Sequence, residues 1–180
     1  MVVDLGSGGG FDVFIAAQKI GHRGRAIGVD MNHVCLWSFR KITMNMGFAD
    51  MSDAQDMIEL ARRNASRHSY TNVSFVQSDI TSTPLADGTA DCIISNCVIN
   101  LVPQSRKHLV FKDMFRLLKT GGRIAVSDLL ALKELPDTIR SNIAAYVGCI
   151  AGAAQVSQYE QWLREAGFTG ESLLIEVKRS

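Results

Sequence analysis

The chain has no excess of either charge. Its 180 residues carry 19 basic and 18 acidic side chains, a formal net charge of +1. Without a basic stripe there is no electrostatic footprint for nucleic acid, and no such partner is expected. No apolar stretch reaches the roughly 18 residues of a membrane span, and no signal peptide is visible. The expectation is therefore a cytoplasmic protein without membrane contact. The four cysteines, Cys35, Cys92, Cys97 and Cys149, form no C-x-x-C pair and show no zinc spacing. In a chain without a secretion signal they read as free thiols of a reducing compartment. Repeats and low-complexity tracts are also lacking. What remains is about one domain's length of chain, 47% apolar, which is enough for a core.

The chain is organised around its first residues, Val2-Val3-Asp4-Leu5-Gly6-Ser7-Gly8-Gly9-Gly10-Phe11-Asp12. They read as a strand, a tight loop and a helix N-terminus. Gly6, Gly8 and Gly10 can take backbone angles that a Cβ forbids, so the loop can press against a ligand. Free N–H groups at the helix start face the same place. The dinucleotide fingerprint G-x-G-x-x-G fails here, because counting from Gly6 its last position is Phe11. What stands is D-x-G-x-G-x-G, which resembles motif I of S-adenosylmethionine (SAM)-dependent methyltransferases. SAM has no pyrophosphate to cradle, and Asp4 suits a cationic ligand better than a phosphate. The alternative is a glycine-rich turn without a ligand.

Strand and helix patterns then alternate. Phe11 to Ile20 reads as a helix with Phe11, Phe14, Ile15 and Gln18 in register, closed by Gly21. Arg25 to Asp30 is a short strand ending in an acid. Asp30 lies 20 residues past Gly10, an offset at which a carboxylate can take two ribose hydroxyls; the alternative is a turn-starting Asp. Asp56 to His68 is amphipathic through Met57, Leu60, Ala61 and Asn64, and Asn72 to Val76 is a third strand. Ala90 to Ser95 and Arg123 to Asp128 are further strands, separated by a helix from Gln104 to Lys119 that Gly121-Gly122 closes. Pro136 to Ala154 and Val156 to Ala166 look helical, and Leu173 to Val177 is a last strand. This order argues an α/β fold with a doubly wound, mostly parallel sheet.

One segment breaks the alternation. A loop of two to six residues belongs between the second strand and the next helix. Instead Val34 to Gln55 intervenes, and it reads as a translated intron or a surface insertion. Val34-Cys35 can be encoded by GTATGT, a 5′ splice signal, and Gln55 by CAG, a 3′ signal. Excising residues 34–55 joins His33 to Asp56 in frame. A mature message that retains the segment would dismiss the intron.

Ligands of an open α/β sheet bind beyond the carboxyl ends of its strands. That edge holds Gly6 to Gly10, Asp30, Asp79, Ser95-Asn96-Cys97 and Asp128. Cys92 lies within its strand, where a small buried hydrophobe is the simpler reading. Cys149 is surrounded by small residues, which also fits plain packing.

Ser95-Asn96-Cys97-Val98-Ile99-Asn100-Leu101 and Tyr146-Val147-Gly148-Cys149-Ile150-Ala151-Gly152-Ala153 closely resemble the two cysteine motifs of arsenite methyltransferases. Val126-Ser127-Asp128 and Lys133-Glu134-Leu135-Pro136 fit the same family. The resemblance covers nearly the whole chain except Val34 to Gln55. It implies a Rossmann-like class I SAM-dependent methyltransferase over residues 1–180, with arsenic-binding thiols at Cys97 and Cys149. It implies SAM contacts from Asp4, Gly6, Ser7, Gly8, Gly10, Met31 and Asn96, with Asp30 at the ribose. Asp79 and Ile80 are implied at the adenine, and Cys97 opposite the methyl. Soft trivalent arsenic prefers thiolates, and its lone pair is itself the nucleophile, so no general base is required. The implied partners are an arsenical and a thiol reductant, and the expected state is a monomer. The family's further cysteines, its N-terminal cover and its C-terminal domain have no counterpart here, so the chain is expected to be a core fragment, incomplete at its ends. The alternatives are a methyltransferase of another small molecule and an inactive SAM-binding fragment.

Overall fold

The computed structural model describes residues 1–31, 57–136 and 150–169. Cys35, Cys149, the Val34 to Gln55 segment and the expected strand Leu173 to Val177 lie outside the described residues. Among the described residues five strands form one sheet: β1 (Val2–Leu5), β2 (Ala26–Asp30), β3 (Val73–Gln77), β4 (Ala90–Asn96) and β5 (Leu118–Ser127). Their order is β3-β2-β1-β4-β5, and every pairing is parallel. Among the described residues four α-helices accompany them: α1 (Phe11–Ile20), α2 (Met57–Arg67), α3 (Lys107–Leu117) and α4 (Val156–Ala166).

Side chains alternate across each strand, and the two faces are buried against different helices. Val3, Leu5, Ile27, Val29 and Ile93 pack with Phe111, Met114 and Leu117 of α3 and Tyr159 and Leu163 of α4. Phe111, Met114 and Leu117 have no exposed surface, and each contributes on the order of 1.5–3 kcal/mol by burial. The other face carries Ala26 and Phe75 against Val13 and Ala17 of α1 and Ile58, Ala61 and Ala65 of α2. Gly28 sits on this face because a Cβ there would strike Phe75 and the Ser7 hydroxyl. The sheet is doubly wound, as the alternation of patterns implies.

Four boundaries or registers differ from the sequence reading. The buried stripe of α1 runs through Val13 and Ala17, leaving Phe11 73% exposed and Ile15 39% exposed. In α2 the buried residues are Ile58, Ala61 and Ala65, while Met57 and Leu60 face the glycine loop. A 3₁₀ turn (Gln104–Arg106) precedes α3, and β5 starts directly after it at Leu118, so Gly121-Gly122 lies inside the strand. The pairing with β4 slips there, from Ala90 opposite Leu118 to Cys92 opposite Arg123, and Gly121 supplies the positive φ of 80° that the bulge uses. Ile150 to Ala154 is a turn and not the end of a helix.

Candidate functional site

The strand order reverses between β1 and β4, with the two strands side by side from Val2 opposite Cys92 to Leu5 opposite Ser95. The loops that leave their carboxyl ends therefore emerge together, at the crevice where open α/β sheets bind ligands. The first is the glycine loop. The N–H groups of Gly6 and Ser7 both donate to the Val29 carbonyl, at 2.8 and 3.1 Å, and Gly10 N–H donates back to Ser7 at 2.9 Å. Gly10, at φ 92°, opens α1, and a Cβ there would meet the rings of Phe14 and Phe75. Asn64 of α2 holds the loop from outside by donating to the Gly9 carbonyl at 3.1 Å.

Carboxylates gather around this loop. Asp30 accepts from Gly8 N–H at 2.7 Å. Asp4 is only 3% exposed. Burial pushes its carboxyl up to about 7, and the nearby Asp12 and Asp30 charges add to the rise. Asn96, at the end of β4, reaches Asp12 at 3.4 Å. The Ser7 hydroxyl is buried with no hydrogen-bond partner. A cation with hydrogen-bonding arms would neutralise the acids and satisfy the hydroxyl, so these residues fit a positively charged ligand.

The second loop carries Cys97, the residue directly after β4. It is exposed and held at φ 56°, a left-handed conformation uncommon outside glycine. Its N–H donates to Ser127 of β5 at 2.8 Å. Val98 then seats on the glycine loop, filling the space that a Cβ on Gly6 would need. The 3₁₀ turn Ile99–Leu101 follows. Asn100, 1% exposed, donates its backbone N–H to Asp128 at 3.2 Å and its side-chain amide to the Leu129 carbonyl at 2.7 Å. Gly152 approaches the same residue so closely that a Cβ on it would fall within the Asn100 carbonyl oxygen. Asn100 and Gly152 each stand three residues past a cysteine, Cys97 and Cys149.

The model of a methyltransferase domain family matches residues 50–167, about two thirds of the chain. This chain belongs to the methyltransferase domain family. An arsenite methyltransferase of Halobacterium salinarum is 38% identical over 93% of this chain and 37% of its own length. The human arsenite methyltransferase is 28% identical over 93% of this chain and 40% of its own length. The domain thus spans about two fifths of these relatives. Among solved structures, an arsenic(III) S-adenosylmethionine methyltransferase from Chlamydomonas reinhardtii superposes with a TM-score of 0.72 at 30% identity, covering 94% of this chain and 52% of that one. The fold is that of the class I SAM-dependent methyltransferases.

Within the domain, the crevice brings together Asp4, Gly6, Ser7, Gly8, Gly10, Asp30 and Asn96, with Met31 half-buried next to Asp30. Asp79 follows β3 on the same edge, but its carboxylate is engaged. Thr81 donates to it through N–H at 2.8 Å and hydroxyl at 2.7 Å, and Arg106 pairs with it at 2.7 Å. Burial pushes the Asp79 carboxyl up, yet these partners together hold it below the usual carboxylate range. Ile80 is 3% exposed and packs into the core against α3 and α4. Cys92 is half-buried within β4, five residues before Cys97, or roughly 16 Å along an extended strand. The sequence offers no site role for Arg106 or Lys107, and names Asp12 and Asn64 only within the glycine stretch and the α2 pattern. The signal for Asp12 was present, since it closes the glycine motif and lies on the first turn of α1. Among the described residues no cluster of three or more metal-ligating side chains occurs, and no helix is long and apolar enough to cross a membrane.

Proposed function

We propose that this domain catalyses methyl transfer from SAM to trivalent arsenic held by the thiolates of Cys97 and Cys149. The contact between Asn100 and Gly152 carries this reading, because it joins the segments that follow the two cysteines. Val98, seated on Gly6, sets the first of those segments beside the glycine loop. Resemblance to arsenite methyltransferases across most of the chain supports the choice of acceptor.

Bound SAM supplies a methyl group on a positively charged sulfur. The chain's own part is to bind and orient. Asp4 and its neighbouring acids attract the cation, Ser7 offers an unused hydroxyl, and Asp30 fixes the loop through Gly8 while it takes the ribose. Met31 and Asn96 add contacts at this edge, whereas Asp79 is held by Thr81 and Arg106 and Ile80 by the core. Thiolates deliver the arsenical with its lone pair free. The arsenic lone pair would take that methyl as the S–CH₃ bonding electrons stay on sulfur, leaving S-adenosylhomocysteine. Arsenic rises from the trivalent to the pentavalent state, and two equivalents of a thiol reductant return it by forming a disulfide. Holding donor and acceptor together converts a bimolecular encounter into a local one.

Two sets of variants test the reading. Cys97→Ser and Cys149→Ser should each abolish methylation of arsenite and of monomethylarsonous acid while leaving SAM binding intact, since serine does not replace a thiolate. With two thiols, the chain should hold monomethylarsonous acid more productively than arsenite. A Cys149→Ser protein that methylates at the wild-type rate would make Cys149 a packing residue and remove the arsenic assignment. Asp30→Ala should weaken SAM binding by about 1.5–3 kcal/mol, the worth of a charge-assisted hydrogen bond, and leave arsenical binding nearly unchanged. Calorimetry that finds unaltered SAM affinity would rule out the ribose role.

A further inference from the structure

We propose that Lys107 is a positioning residue for the acceptor thiol: acting through the Asn100 carbonyl, it fixes the Cys97 loop against the segment that follows Cys149. This role rests on the arsenic reading above. Lys107 is the first residue of α3 and is fully buried. Its ammonium donates to the carbonyls of Ile99 at 2.9 Å, Asn100 at 3.0 Å and Val102 at 2.6 Å. An ammonium has three protons and a neutral amine only two, so three acceptors match the charged form. A charge taken fully out of water is costly unless it is paired and hydrogen-bonded. An apolar side chain would fill the same space without that cost. The charge is therefore explained by what it holds.

What it holds is a curl of backbone. Three carbonyls from four consecutive residues converge on one nitrogen, and the curl begins two residues after Cys97. The left-handed Cys97 backbone is strained, and such a conformation persists only when its surroundings over-determine it. Lys107 supplies that constraint on one side and the Cys97 N–H bond to Ser127 on the other. Asp128, at the end of β5, closes the arrangement. It accepts from Asn100 N–H and from the Tyr159 hydroxyl at 3.2 Å, and it feels the Lys107 charge. The Asn100 carbonyl that Lys107 grips is the one Gly152 abuts. Shifting the ammonium moves that carbonyl, and with it the seam between the two cysteine segments.

The test separates chelation by two thiols from the reactivity of one. In the full chain with Cys35→Ser and Cys92→Ser, phenylarsine oxide probes Cys97 and Cys149 together, and with Cys149→Ser added iodoacetamide probes Cys97 alone. Lys107→Met and Lys107→Gln variants that bind SAM as the parent does should lose phenylarsine oxide affinity by about tenfold or more, as the effective concentration of the second thiol falls. Their Cys97 alkylation rate should stay within about twofold of the parent. A merely structural role would move SAM binding and both thiol readouts together. Undiminished phenylarsine oxide affinity in either SAM-binding variant overturns the positioning role alone. If neither variant binds SAM, Lys107 is a folding residue and the proposal is likewise overturned. Parent affinity that does not depend on Cys97 and Cys149 sinks the arsenic reading, and the positioning role with it.

Discussion

Asp4→Asn should make the ligand-free domain more stable at pH 8 and a poorer binder of SAM. Asp4 is buried beneath the glycine loop, and burial, then Asp12 and Asp30, raise its carboxyl from 3.8 to about 7. An unfolded chain releases that proton near pH 4, whereas the fold keeps it until about pH 7. Between those values the folded state binds more protons, so stability falls as pH rises, and the whole cost is present above pH 7. The gap corresponds to on the order of 4 kcal/mol at 1.36 kcal/mol per pH unit. Asparagine keeps the shape and removes the charge. Denaturant unfolding should show wild-type stability declining between pH 4 and 7 and the variant flat across that window. Parallel profiles for the two proteins would refute the buried charge. SAM binding runs the other way: the cation favours ionised Asp4, so wild-type affinity should rise from pH 6 to 8 with release of a proton, and the variant should lose this dependence.

Gly152→Ala should nearly eliminate methyl transfer while SAM affinity survives. The new methyl has no room, because backbone and not a flexible side chain occupies its position. Either the Ala151–Ala153 turn or the Asn100 carbonyl must retreat, and the carbonyl is also an acceptor for Lys107. Overpacking of this kind costs about 1–3 kcal/mol, occasionally more. The glycine loop lies on the other side of the Cys97 loop and keeps its own bonds to Val29. Steady-state methylation and SAM calorimetry on the purified variant decide the matter. Wild-type turnover in Gly152→Ala would mean that the seam does not set the position of the thiols.

Much of the fold was legible because its signals are local. A run of apolar residues, an acid and a glycine cluster mark the end of β1 whatever surrounds them, and α4 was read to the residue from its amphipathic pattern. The glycine loop and Cys97 could be placed at the carboxyl edge of the sheet for the same reason, each lying at the end of a recognisable strand. Phe11 and Ile15 look like core residues, yet smaller Val13 and Ala17 let the helix approach the sheet. Gly121-Gly122 has the pattern of a helix stop, although its work is to bulge a strand. What stayed illegible were partnerships across distance. Asp79 looked available to a ligand, and only folding brings it Arg106, 27 residues away. Lys107 at a helix start looks solvated until three carbonyls curl over it.

Arg106 and Lys107 are neighbours in sequence at the start of α3, and they grip different things. Arg106 holds Asp79 and the Thr81 hydroxyl after β3, while Lys107 holds the loop after β4. The end of the crevice assigned to the adenine and the end assigned to the acceptor are thus fastened to consecutive links of one chain. On the proposed assignment, displacing either residue should strain the other, so the two occupants should be coupled. Such coupling is reciprocal: whatever factor by which filling one end alters affinity at the other, the reverse order of filling must reproduce.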